Sequence, residues 1–169
     1  LRRQLAHHIE DLLDQLRVFN GLYLTNAKLN RKAETDKALG ELVDFGIKNE
    51  RLGVMMLFVP STTRFVPGNI SQSYPAWLKT IADKAASRNV CLELVGHASQ
   101  TGTEAFNDKL SAQRADAVRE RLARLSPALA KNVKSSGKGW RENIVGTGRD
   151  DATDALDRRV EFKVAKCAA

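Results

Sequence analysis

The apolar residues of this chain change period near residue 53, and that change limits the folds open to it. Up to about residue 50 they recur every three or four positions, first as Leu5, Ile9, Leu12, Leu13 and Leu16 and then as Ala38, Leu39, Leu42, Val43 and Ile47. Such spacing lines one face of a helix. Gly21 and Asn30 offer breaks, so two or three short antiparallel helices are predicted. Beyond residue 53 short apolar runs alternate with helix-period segments. Val54-Met55-Met56-Leu57-Phe58-Val59 is a continuous run, which predicts a strand covered on both faces or at the centre of a sheet. Tyr74, Trp77, Leu78, Ile81 and Ala85 mark a helix, with Ser71 or Ser73 able to cap it and Pro75 suited to its first turn. A strand over residues 91–95 ends at Gly96, and a second helix over residues 103–125 is stopped by Ser126-Pro127. A shorter strand is expected near Val133. Residues 159–164 alternate cleanly, as a strand with one buried and one wet face does. The order β-α-β-α-β-β predicts an α/β fold, a two-layer sandwich whose mixed sheet carries both helices on one face, after a helical N-terminal segment. The boundary is placed between residues 1–52 and 53–169.

At 169 residues the chain has room for one compact domain and an appendage, and too little for a two-domain enzyme. Its 43% apolar and 28% charged residues are those of a globular protein. No apolar run approaches the roughly 20 residues of a membrane-spanning helix, so no membrane span is predicted in this chain. It begins at Leu1 rather than Met, so a leader or lipid anchor would stand upstream. The net charge of +7 is uneven. Residues 1–55 hold nine basic and eight acidic side chains, and residues 56–169 hold eighteen and twelve. A polyanionic partner such as nucleic acid, an acidic lipid surface or a wall polymer would suit the second part, and so would a solvated basic surface.

The cysteines, Cys91 and Cys167, are 76 apart, and two of the three histidines are adjacent at His7 and His8, so the four clustered ligands of a zinc site are not available. HExxH, GxSxG and the Walker pattern are absent, and Gly146-Thr147-Gly148 runs into Arg149-Asp150-Asp151 instead of a dinucleotide loop. No cofactor is expected. Nucleic acid is not expected either, because the basic residues are interleaved with acids and only 10 aromatics are present.

The second helix contains an oddity. Its apolar stripe runs through Phe106, Leu110, Val118 and Leu122, and Arg114 occupies the missing step. A guanidinium on the border of a buried stripe needs an anionic partner, either an aspartate of the loop near residue 150 or a ligand carboxylate gripped in bidentate fashion.

The same residues carry a resemblance. Gly96-His97-Ala98-Ser99-Gln100-Thr101-Gly102, then Asn107, Leu110-Ser111, Arg114-Ala115 and Val118, resemble the GHTDxxGxxxxNxxLSxxRAxxV pattern of the OmpA-like peptidoglycan-binding domain. Gly137-Lys138-Gly139 is similar to the family's GxG turn, and Asp157-Arg158-Arg159-Val160-Glu161 to its closing strand. The resemblance covers residues 54–165. It implies a non-catalytic periplasmic module that holds the diaminopimelate end of a peptidoglycan stem and ties an envelope component to the wall. An outer-membrane link would run through a segment outside this chain. In the family a carboxylate after GHT and the LSxxRA arginine grip the ligand's two charges. Arg114 falls on that arginine, but Ala98-Ser99 replaces Thr-Asp, so the acidic half is missing. A hydroxyl there forgoes a charge-assisted bond worth about 1.5–3 kcal/mol, roughly ten- to a hundredfold in affinity. Either the ligand differs, or Asp150, Asp151 or Asp154 folds over the site, or the module has become a protein dock in a secretion, motor or surface assembly. The implied site comprises His97, Ala98, Ser99, Asn107, Arg114 and Arg158.

Other readings stay open beside these. His97 suits a structural donor, and His97 with Ser99 lacks the orienting acid of a nucleophile pair. Asn107 suits a plain helix role as well as a ligand bridge, and only one of Arg158 and Arg159 can face the site. Trp77 is expected in the core, and Trp140 on the surface against a sugar or partner. Gly21, Leu24 and Ala33 are similar in spacing to a tetratricopeptide helix pair, but one such unit cannot bury its own face. A hairpin packed on the next domain or on an envelope protein fits residues 1–52 better. If the implied site brings Gly96-His97 near Arg158, strands 91–96 and 159–164 run antiparallel with paired numbers summing to about 255. Cys91 then lies opposite Val164, three residues short of Cys167, so a disulfide and two free thiols are both open.

Overall fold

The computed structural model describes residues 2–165 and Cys167, the side chains of residues 2–13, Leu16, Arg51 and Ile70 excepted. The stripe through Leu5, Ile9, Leu12, Leu13 and Leu16 therefore lies outside the described side chains.

Two helices open the chain, α1 over Arg2–Lys28 and α2 over Lys32–Lys48. Gly21 does not break α1. A helix-interior glycine costs about 1 kcal/mol relative to alanine, which neighbouring packing can absorb. The break comes at Asn30, whose φ of 54° is the left-handed conformation asparagine tolerates. The helices fold back as a hairpin, with Phe19 against Phe45 at 5.6 Å between ring centroids.

The sheet has the order β1-β4-β2-β3, with β1 over Arg51–Leu57, β2 over Cys91–Gly96, β3 over Val133–Gly137 and β4 over Arg159–Ala165. Strands β1 and β2 are antiparallel to β4, and β2 is parallel to β3. β1 is thus an edge strand, not a central one. It alternates, burying Leu52, Val54 and Met56, with Phe58 buried just past its end, while Met55 is 38% exposed, and a bulge lies between Arg51 and Met55. Its continuous apolar run arises because its outward positions remain partly covered, not because a second layer covers them.

One face of the sheet carries the helices. A short turn α3 (Asn69–Gln72) leads into α4 (Tyr74–Ser87), and α5 spans Glu104–Leu125. Ser73 makes no side-chain cap on α4 because its backbone is already helical, whereas Thr103 caps α5 through Phe106 N–H. Along α5 the stripe holds at Leu110, Val118 and Leu122, but Phe106 is 49% exposed. Leu78, Ile81 and Ala85 of α4 join Val118 and Leu122 of α5 and Leu92, Leu94, Val160 and Phe162 of the sheet in one core.

That core extends into the hairpin. Tyr23, Leu39, Val43 and Ile47 belong to it, Trp77 Nε1 donates to the Tyr23 hydroxyl at 2.7 Å, and Lys84 reaches Asp44 at 2.8 Å. Helix α4 and strand β1 together cover the apolar stripe of α2.

In the register, β2 and β4 pairs sum to 256, so Cys91 lies opposite Ala165, two residues from Cys167 rather than three. Cys91 and Cys167 form a disulfide with Cα atoms 5.0 Å apart. It fastens the end of β4 to the start of β2.

Leu39→Ala should lower the stability of the whole protein by about 2–5 kcal/mol, in a single unfolding transition by calorimetry. A separate early transition, with the rest melting as in the wild type, would show that the hairpin is an independent unit.

Candidate functional site

Two glycines bring α5 onto the sheet where the site residues gather. A Cβ on Gly96 would stand 1.9 Å from Ser111 O, and one on Gly137 would stand 2.5 Å from both Ala112 N and Ser111 Oγ. Neither glycine could carry a side chain without pushing the helix away. Ser111 fills the crossing, accepting from Gly139 N–H at 2.9 Å and donating to Asp108 O at the same distance. Arg114 lies one turn further along α5.

Arg114 is fully buried, with 0% exposure, so it is not on the border of the stripe but inside the protein. Its Nε donates to Thr62 O at 2.9 Å, one terminal nitrogen to His97 O at 2.9 Å and the other to Val59 O at 3.1 Å. The partners expected of it were a loop aspartate or a ligand. The structure gives it main-chain carbonyls instead, which have no residue-type signature in a sequence. Among the described residues no carboxylate forms an ion pair with it. Burial, and then the charge of Arg158, lower its pKa to about 10 against the pull of Asp150, so it stays protonated at neutral pH.

The acid that folds over this region is Asp150. Its Oδ1 accepts from the Ser99 hydroxyl in a short hydrogen bond and from Arg158 at 2.9 Å. Arg158 also donates to Phe58 O and Asp151 O. Arg159 turns the other way, to Glu161 at 2.6 Å and to Glu142 O. Ser99 and Arg158 therefore meet at Asp150, whose charge also reaches Arg114, while Ala98 is buried with its N–H on Gly139 O. Asn107 stands apart from this cluster, donating to Thr101 O at 2.6 Å and Thr103 O at 3.0 Å, so it pins the loop that leads into α5.

The loop bearing Asp150 is held by two carboxylates. Asp157 accepts from the backbone N–H groups of Ile144, Val145 and Gly146 at 2.6–2.9 Å. Asp154 accepts from Thr147 N–H and hydroxyl and from the N–H groups of Arg149 and Asp150. Burial raises the Asp154 pKa, but these bonds outweigh it and hold the group at about 2. The clustered aspartates between Gly146-Thr147-Gly148 and Arg158 were the available signal for this arrangement.

His97 is also fully buried. Both ring nitrogens lack hydrogen-bond partners, and Nε2 lies 3.9 Å from Glu161 Oε1. Burial and then the charge of Arg159 lower its pKa to about 4. The Ser99 hydroxyl is spent on Asp150 rather than on this ring. Among the described residues no three or more His, Cys, Asp or Glu side chains are placed to hold a metal ion, and no helix is long and apolar enough to cross a membrane.

The family model for the OmpA family matches residues 58–155, more than half of the sequence. The chain belongs to the OmpA family. Its fold is also that of solved OmpA-like domains. The peptidoglycan-associated lipoprotein from Burkholderia pseudomallei is 22% identical, with a TM-score of 0.58 over 68% of this chain and 92% of that one. The OmpA-like domain of FopA1 from Francisella tularensis is 20% identical, with a TM-score of 0.51 over 68% and 74%. The C-terminal domain of Helicobacter pylori MotB is 18% identical, with a TM-score of 0.52 over 68% and 86%. At these identities the likeness is one of fold. No curated protein matches the chain. In the OmpA-like domain described here, the family motifs fall on the glycine crossing, on Arg114 and on the Asp157 loop anchor.

Because the folded pKa of His97 lies below its ordinary value of 6.5, the unfolded chain binds more protons between the two. Stability is then full above pH 6.5 and falls as the pH drops toward 4. Denaturant midpoints across this range should decline in the wild type and flatten in His97→Gln, and equal slopes would contradict the assignment. Gly96→Ala should cost well over 3 kcal/mol, since backbone must yield. A near-wild-type melt would refute the close crossing.

Proposed function

We propose that this OmpA-like domain is a non-catalytic module of the bacterial periplasm that associates with peptidoglycan through the stem peptide. The OmpA-like domain family is known for peptidoglycan association. The observation that carries the reading for this chain is the cluster of Arg114, Arg158 and Asp150, two guanidinium groups and one carboxylate with a net positive charge, close beneath the surface. Arg114 spends three of its five N–H groups on neutral carbonyls, so its charge is solvated but not neutralised. An anion beside it would gain from a low-dielectric setting. A diaminopimelate-type stem offers such a carboxylate. The disulfide between Cys91 and Cys167 fits the oxidising compartment in which the wall lies.

One observation favours a second reading, that of a docking module. Arg114 has no accessible surface, so a ligand can touch it only after Asp150 or the loop of residues 58–66 shifts. In that reading the hairpin of α1 and α2 makes the contact with an envelope protein. Val18 and Leu22, 60% and 47% exposed and four residues apart, mark the face concerned. Deleting residues 1–50 would not isolate it, because Tyr23, Leu39, Val43 and Ile47 are core residues. Polar substitutions at Val18 and Leu22 would.

Purified sacculi containing diaminopimelate should sediment the wild type, and Arg114→Ala should sediment about tenfold less. Leu92→Ala, a core change at the far end of β2, serves as an equally destabilised control and should sediment like the wild type. Wild type left wholly in the supernatant would reject wall association and leave the docking reading.

A further inference from the structure

We propose that the outward face of α1 is a self-association surface, on which a second copy of this chain packs antiparallel with the two helices crossing at Gly21. The inference is independent of wall binding. It gives one definite occupant to the hairpin face that the docking reading assigns to an envelope protein. Its starting point is the glycine. Gly21 lies inside α1, where a glycine costs about 1 kcal/mol relative to alanine. It has no positive φ, and a Cβ built on it would meet nothing within 4 Å. Nothing among the described residues therefore calls for a glycine at this place. The close approach of another helix would, because a residue without a side chain lets two backbones meet.

The residues around Gly21 are symmetric about it. Val18 and Leu24, three positions to either side, are 60% and 48% exposed, whereas Tyr23 on the opposite side of the helix is buried in the core. Asp14 and Lys28, seven positions to either side, are exposed and carry opposite charges. Spacings of three and seven keep all of them on the face of Gly21. In an antiparallel pair centred there, Val18 of each copy meets the partner's Leu24, and Asp14 meets the partner's Lys28. The same patch then serves both copies, as a two-fold interface requires. A parallel pair would set like charges against each other at both ends. Asp14 also meets Arg17 of its own helix at 3.0 Å, but an exposed pair of this kind is weak and leaves the carboxylate open to a second cation. The patch is small for an interface, so the dimer forms in a concentration-dependent way.

Sedimentation equilibrium of the whole chain over a wide concentration range tests this. The wild type should move from a mass of 18.7 kDa toward twice that value as its concentration rises. Gly21→Gln puts a side chain where the helices cross but meets nothing in its own chain. It should therefore raise the thermal midpoint of the dilute protein while weakening association at least about tenfold. Asp14→Lys and Lys28→Asp should each weaken association about tenfold, since each turns two attractive pairs of the dimer into repulsive ones. Mixed together, these two variants should associate with each other as the wild type does with itself. A wild type that stays at 18.7 kDa throughout, or a dimer that Gly21→Gln leaves intact, would overturn the proposal. Failure of the two charge variants to associate on mixing would overturn it as well, because the antiparallel pairing demands that they do.

Discussion

The fold around the site depends on one buried guanidinium. Arg114 ties three pieces of chain together at one point: the loop after β1 through Val59 and Thr62, the end of β2 through His97, and α5 on which it sits. Burying an isolated charge is costly, and three charge-assisted bonds to carbonyl dipoles offset that cost without neutralising it. The excess positive charge explains why a carboxylate, Asp150, is gathered close by, and why Arg158 and Ser99 hold it in place. Structural role and binding role are therefore not separable at Arg114. Its removal leaves the carbonyls of Thr62 and His97 without a donor among the described residues, Val59 O keeping those of Thr62, as well as an altered site.

The same economy shapes the loop of residues 138–157. It has little apolar content with which to fold on itself, and its backbone N–H groups would be orphaned if they pointed inward without acceptors. Asp154 and Asp157, both fully buried, supply those acceptors. Each carboxylate thereby fixes several residues at once, and Asp150 inherits a defined position from them. On the opposite flank, the buried Arg159 and the half-buried Glu161 form a second pair beside the unpartnered ring of His97. The sheet end thus holds two charge groupings separated by a neutral imidazole.

Most of the secondary structure was legible in the sequence because apolar periodicity and the residues that begin and end elements reflect local physics. Thr103 before α5, Pro127 after it and the alternation of β4 are of this kind. The exceptions are tertiary. The run of residues 54–59 reads as a central strand, yet β1 lies at an edge, since a hydrophobic run reports burial and not sheet order. Gly21 reads as a break, yet α1 passes through it because packing outweighs a cost of about 1 kcal/mol. The motif residues pointed to Arg114, Ser99 and Arg158, of which Ser99 and Arg158 bond to the same carboxylate, that of Asp150. What they touch was not legible, because carbonyls of Val59, Thr62 and His97 belong to any residue type, and the choice of Asp150 among three nearby acids depends on a backbone turn with positive φ.

The measurement that tests this account most directly is the guanidinium signal of Arg114 in nitrogen-edited NMR spectra, followed as a stem peptide is added. The account predicts an Nε–H that exchanges slowly in the free protein, held by Thr62 O, and that shifts progressively on titration as an anion settles beside it. A signal that exchanges as fast as those of exposed arginines would contradict the buried three-carbonyl grip. One that stays fixed while the peptide demonstrably binds would place the ligand somewhere else.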